Sequence, residues 1–83
     1  MYLIEFKPKA LKALKSLPKP EAKKILVKIQ NLQMGLIGDI KKLTNFSPEY
    51  RLRIGKYRVL FEIQDNIVCI YHIKHRKEIY RKR

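Results

Sequence analysis

Hydrophobic and polar positions alternate through the C-terminal half of this chain and follow a helical rhythm through much of the N-terminal half. Tyr50-Arg51-Leu52-Arg53-Ile54 and Tyr57-Arg58-Val59-Leu60-Phe61 run at a period close to two, separated by Gly55-Lys56. A strand sends successive side chains to opposite faces. Arg51 and Arg53 are therefore expected on one face, with Leu52 and Ile54 on the other. Across the turn, Arg58 rejoins the cationic face while Tyr57, Val59 and Phe61 join the apolar one. The pattern predicts strands over Tyr50–Ile54, Tyr57–Gln64 and residues 67–73, with Asp65-Asn66 as the second tight turn.

The other half reads differently. Residues 2–6 alternate loosely and predict a first strand. Pro8 suits the first turn of a helix, where its missing N–H is no loss. Ala10, Leu11, Leu14 and Leu17 form an apolar stripe with Lys9, Lys12 and Lys15 on the other side. Pro18-Lys19-Pro20 stops this helix and opens the next. Ala22, Ile25, Leu26, Ile29 and Leu32 make the second stripe, opposite Lys23, Lys24, Lys28 and Gln30. Gly35 and Gly38 bound a loop, and residues 39–43 are expected to form one helical turn, with Leu43 and Phe46 touching the core. Ser47-Pro48 signals a turn. The predicted order β-α-α-β-β-β describes a single α+β domain over residues 1–83, with a helical hairpin packed on one face of a mainly antiparallel sheet. Where the first strand joins the sheet does not follow from the pattern.

Charge changes the picture. Lys and Arg number 20 against 7 Asp and Glu, a formal charge of +13. A field of that sign draws phosphate backbones or acidic protein segments. A merely solvated basic surface is the plainer alternative. A membrane surface is a third, with little to support it because the amphipathic segments are needed for the core. A chain of 83 residues builds one small core, so an open groove fits better than an enclosed pocket. Cys69, in an apolar run, reads as a small buried hydrophobe. The first residues lack the pattern of a secretory signal and no apolar run reaches the ~18 residues of a membrane span, so a cytoplasmic location is expected.

Most catalytic arrangements find no support. His72 and His75 have no cluster of further ligands, so no metal is expected. Ser16 and Ser47 have no obvious base, the three glycines match no phosphate loop, and the glutamates are scattered. What remains is a cluster of Arg51, Arg53, Arg58, His75, Arg76 and Tyr80. Metal-free phosphoryl chemistry needs cations on the phosphate, a base for the attacking hydroxyl and an acid for the leaving oxygen. RNA brings its own nucleophile in the 2′-OH. Arginine suits the cationic role, and histidine or tyrosine suits the others. Each also has a structural reading: Arg51 and Arg53 as charges on an exposed strand, His75 as a solvent-facing spectator, Tyr80 as an anchor for the tail, and Tyr50, Tyr57 and Tyr71 as core or strand-pair aromatics.

Taken together, these residues resemble the RelE/ParE superfamily of toxins from toxin–antitoxin pairs. The resemblance spans Tyr2-x-Ile4-x-Phe6 with its lysine-rich helix, the run from Tyr50 to Phe61 preceded by Leu43, and the ending Ile73-Lys74-His75-Arg76-Lys77-Glu78-Ile79-Tyr80. It implies the same β-α-α-β-β-β fold and one of two activities. RelE-like members cut mRNA in the ribosomal A site through the 2′-OH, without metal or other cofactor. ParE-like members bind DNA gyrase. On the RelE-like side, the resemblance implies that Arg51 and Arg53 contact RNA, that Arg58 and Arg76 stabilise the phosphate, and that Tyr80 orients the substrate. Well-studied RelE enzymes carry lysines at the positions of Arg51 and Arg53. Arginine is a poor general base, which passes that role to His75 or Tyr80. The implied partners are a cognate acidic antitoxin and mRNA on the ribosome. A non-catalytic RNA-binding module is a further alternative, marked by salt-sensitive binding without cleavage.

Overall fold

A computed structural model describes residues 1–43, 47–75 and 77. Strand β1 (Leu3–Phe6) leads into helices α1 (Pro8–Lys15) and α2 (Lys19–Gln30), and a short 3-10 turn (Asn31–Met34) follows. Strands β2 (Asp39–Lys42), β3 (Tyr50–Ile54), β4 (Tyr57–Gln64) and β5 (Ile67–His75) complete one sheet in the order β1-β5-β4-β3-β2. The α+β architecture is the expected one, with one strand more than the sequence pattern predicts.

Local chemistry accounts for the helices. Pro8 occupies the first turn of α1, and Lys12 and Lys15 sit in its last turn, where the helix dipole favours positive charge. The Ser16 backbone N–H closes the end on the Lys12 and Ala13 carbonyls, and its hydroxyl also donates to the Ala13 carbonyl at 2.8 Å. Pro18 then caps α2, whose buried residues are Ile25 and Ile29. Ala10, Ile25, Ile29 and Leu32 pack against Leu52, Ile54, Val59, Phe61, Val68, Ile70 and Ile73 from one face of the sheet. The apolar halves of the two alternating strands thus form the floor of the core, and the arginines face away from it. Tyr50 stacks on Phe61 across the ladder, ring centroids 5.3 Å apart.

Three features depart from or extend the sequence expectation. Residues 39–42 form an edge strand instead of a helical turn, pairing antiparallel with β3 so that Ile40 faces Leu52 and Lys41 faces Arg51. A single isolated helical turn bears the full cost of nucleation, whereas pairing satisfies the backbone groups along the outer edge of β3. Leu43, expected in the core, lines a groove on the opposite side of the sheet; Phe46 lies outside the described residues. Finally, β1 pairs in parallel with β5, with Leu3 opposite Ile67 and Phe6 opposite Ile70.

One irregularity in β5 proves decisive for the side chains beyond it. Leu60 pairs with His72, but Phe61 pairs with Ile70, leaving Tyr71 as the extra residue of a bulge. The alternation of β5 therefore slips by one. Val68 and Ile70 point into the core before the bulge, and Ile73 does so after it. Among the described residues, no helix is long and apolar enough to cross a membrane.

Candidate functional site

The face of the sheet away from the helices carries the charge. Arg53 pairs with Arg58, Arg51 with Leu60, and Arg58 in turn with Lys74. Lys41 stands opposite Arg51 on the outermost strand. Cations from four neighbouring strands thus share one surface. Like charges directly opposite one another on a sheet are destabilising, so an arrangement of this kind calls for an anion.

Part of that need is met internally. Asp39 on β2 lies opposite Arg53, whose Nε donates to Oδ2 at 2.7 Å. Arg51 reaches the other oxygen of the same carboxylate at a looser 3.7 Å. Asp39 therefore draws both β3 arginines toward the sheet edge. Arg58 forms no ion pair among the described residues.

Between Arg51 and Arg58 opens a groove of about 440 Å³. Leu43, Pro48 and Leu60 supply its apolar lining, and Lys74 and Ser47 complete the rim. The Ser47 hydroxyl donates to Glu62 Oε2 at 2.8 Å, fastening the chain ahead of β3 to β4. Two guanidinium atoms here, Arg51 Nε and Arg58 Nη1, are shielded from solvent and have no acceptor among the described residues. A buried donor without a partner costs about 1–3 kcal/mol, more when charged, and phosphate oxygens are natural acceptors for guanidinium groups.

Farther along this face the character changes. Cys69 is buried opposite Glu62, and its thiol contacts Glu5 Oε1 at 3.6 Å. Burial, then the hydrogen bond to Glu5, pushes the thiol above its ordinary range. The negative charge of Glu62 likewise raises the Tyr71 hydroxyl. A neutral, protonated thiol is a weak nucleophile, consistent with a packing role for Cys69.

The predicted site residues separate into three groups. Arg51, Arg53 and Arg58 come together as expected. His75 does not join them: it pairs with Tyr57 and meets its ring edge-on at 5.1 Å, on the helix side of the sheet. Its Nδ1 accepts the Lys77 backbone N–H at 3.1 Å, and Lys9 and Lys12 of α1 line the adjoining groove. Arg76 and Tyr80 lie outside the described residues. Sequence reasoning missed Asp39 and Lys74. The signal for Lys74 was present in the odd spacing of Ile70 and Ile73, which marks the bulge; Asp39 had none once its segment was read as helical.

In sequence and fold the chain is similar to known toxins. Residues 4–80 match the family described as ParE toxin of type II toxin–antitoxin system, parDE. RelE1 of Methanocaldococcus jannaschii is 36% identical over 84 residues, covering 94% of this chain and 93% of that protein. Among solved structures, a chain of the RelB–RelE antitoxin–toxin complex from Methanococcus jannaschii superposes with a TM-score of 0.70 at 31% identity, covering 92% of this chain and 94% of that one. A chain of the archaeal RelE–RelB complex from Pyrococcus horikoshii OT3 gives 0.77 at 29% identity, covering 90% and 94%.

Proposed function

The chain belongs to the RelE/ParE family of type II toxin–antitoxin toxins, and from that premise we propose that it is a ribosome-dependent endoribonuclease that cuts mRNA in the A site. The observation that carries this reading is the groove between Arg51 and Arg58, with its two shielded guanidinium donors lacking acceptors among the described residues. A scissile phosphate seated there would supply those acceptors.

The chemistry follows from the charges. The 2′-OH of the RNA attacks the adjacent phosphorus, forming a new O–P bond while the bond to the 5′-oxygen breaks. A proton leaves the attacking oxygen and another reaches the departing one. Negative charge grows on the non-bridging oxygens, and fixed cations that meet that charge as it develops lower the barrier. Arg58, free of any described ion pair, faces this task most directly. Arg51 completes the clamp, and Arg53 and Lys74 extend the field along the strand. His75 stands across the sheet, so the groove itself contributes charge stabilisation and positioning rather than imidazole chemistry.

The RelB–RelE complexes among the structural neighbours support a cognate antitoxin as the partner of this chain. An acidic protein meets a surface of this charge with favourable steering and complementarity.

The test is cell-free translation with added protein, mapping mRNA ends by primer extension, beside an Arg58→Ala control. Discrete A-site cuts are expected, reduced roughly 10- to 100-fold in the variant. Intact mRNA with translation unhindered would overturn the reading and turn attention to gyrase, measured by a supercoiling assay.

A further inference from the structure

Resting on the reading above, we propose that the groove seats one whole nucleotide unit, with the phosphate against Arg51 and Arg58 and the base against Leu43, Pro48 and Leu60. A phosphate site alone needs no apolar wall. Here three apolar side chains line the groove although none belongs to the core cluster on the other face of the sheet. Leu60 is the most telling. It occupies a position on the cationic face, opposite Arg51 and two residues beyond Arg58 on the same strand. Its alternation partners on that face, Arg58 and Glu62, are charged, so Leu60 interrupts the polar pattern with carbon surface that opens onto the groove.

Size points the same way. At about 440 Å³ the groove falls within the span of small-molecule sites, roughly 300–1,000 Å³. Its chemistry is amphipathic: donors that fit an anion lie beside carbon surface that fits a ring. A nucleoside monophosphate has both parts in one molecule.

The lining also predicts how bases are treated. Ser47 is the neutral polar side chain at the groove, and its hydroxyl donates its proton to Glu62. A wall of leucine and proline carbon has no hydrogen-bonding pattern with which to read a base edge. The pocket therefore favours having a base over having none, with little preference among the four.

Titration of the isolated protein, followed through the Leu43 and Leu60 methyl NMR signals, tests this without ribosomes. The probes are inorganic phosphate, ribose 5-phosphate and the four nucleoside 3′-monophosphates. Nucleotides are expected to bind roughly tenfold tighter than ribose phosphate, with ring-current shifts at both leucines and affinities within about threefold of one another. Leu60→Ala should remove the advantage of the base and leave the affinity for inorganic phosphate unchanged. Leu60→Met, which keeps the apolar volume, should retain that advantage. Equal affinity for nucleotides and ribose phosphate overturns the proposal, as does a Leu60→Ala variant that keeps the advantage or loses phosphate equally. Selective nucleotide binding without mRNA cleavage would instead overturn the enzymatic reading while leaving the pocket in place.

Discussion

Arg53 and Arg58 stand directly opposite each other in the β3–β4 ladder, on the face turned away from the core. Sheet pairs of like charge work against folding, so this pair is a local weakness that an anion converts into a clamp. Asp39 relieves Arg53 from one side, and Arg58 is left as the side chain with most to gain from a phosphate.

Arg58→Ala should therefore separate stability from function. Folding stability is expected to stay within about 1 kcal/mol of the parent, or to rise, because a repulsive pair is removed. Affinity for RNA, or cleavage on the ribosome, should fall roughly 10- to 100-fold, the value of a hydrogen bond to a charged group. Thermal melts and primer extension on the same preparation give both numbers.

Asp39→Asn should act in the opposite sense. The pair it makes with Arg53 is about half exposed, with side-chain accessibilities of 53% and 47%. Its loss should lower stability by no more than about 1 kcal/mol. RNA binding should tighten at low salt as Arg51 and Arg53 lose their internal anion. That gain should shrink as the Debye length contracts, to roughly 3 Å at 1 M salt. Filter binding across a salt series would show it.

Gly38→Ala should be more damaging than Gly55→Ala, although both positions have positive φ. At Gly38, φ is +120° and an added Cβ would sit 2.9 Å from Leu52 Cδ1, a buried side chain with little room to yield. At Gly55, φ is +57° and nothing lies within 4 Å. The first change should cost about 1–3 kcal/mol, and the second about 1–2 kcal/mol for the left-handed backbone alone. Urea unfolding of the two variants should rank them in that order.

Much of this was legible in the sequence, and the exceptions share a physical cause. The arginine hairpin was readable because period-two alternation fixes faces locally. The helices were readable from their stripes and prolines. The strand at Asp39–Lys42 was not, because Asp-Ile-Lys-Lys has one apolar side chain, and its conformation comes from its partner β3. Nor was the place of β1, since parallel pairing with β5 leaves no local signature. The chemistry of His75 suits it to work beside the arginines, but the Tyr71 bulge, which period-two reading does not anticipate, turns it to the other side.

Alkaline pH should weaken the fold. The Cys69 thiol lies above its ordinary value of 9.0, raised first by burial and then by Glu5. The Tyr71 hydroxyl lies above 10.0, raised first by the charge of Glu62. In each case the folded protein holds its proton where the unfolded chain releases it, so stability is full below the ordinary value and declines as pH rises through and beyond it. Denaturation midpoints should fall from pH 8 toward pH 11. A Cys69→Ala variant should show a shallower decline, and thiol reagents should label native Cys69 slowly at pH 8.

The parallel pairing of β1 with β5 also sets when the sheet can be finished during synthesis. Leu3 must wait for Ile67, and contacts so distant along the chain are slow to form. At roughly 5–20 residues per second, β1 spends on the order of several seconds outside the ribosome before its neighbour is made. The helical hairpin can gather early, but the β4–β5 ladder on which Arg58 meets Lys74 forms only after β5 emerges. The cationic surface is thus completed only after β5 emerges, and a nascent chain stalled before Ile67 would carry the β3–β4 arginines without Lys74 and the strand that flanks Arg58.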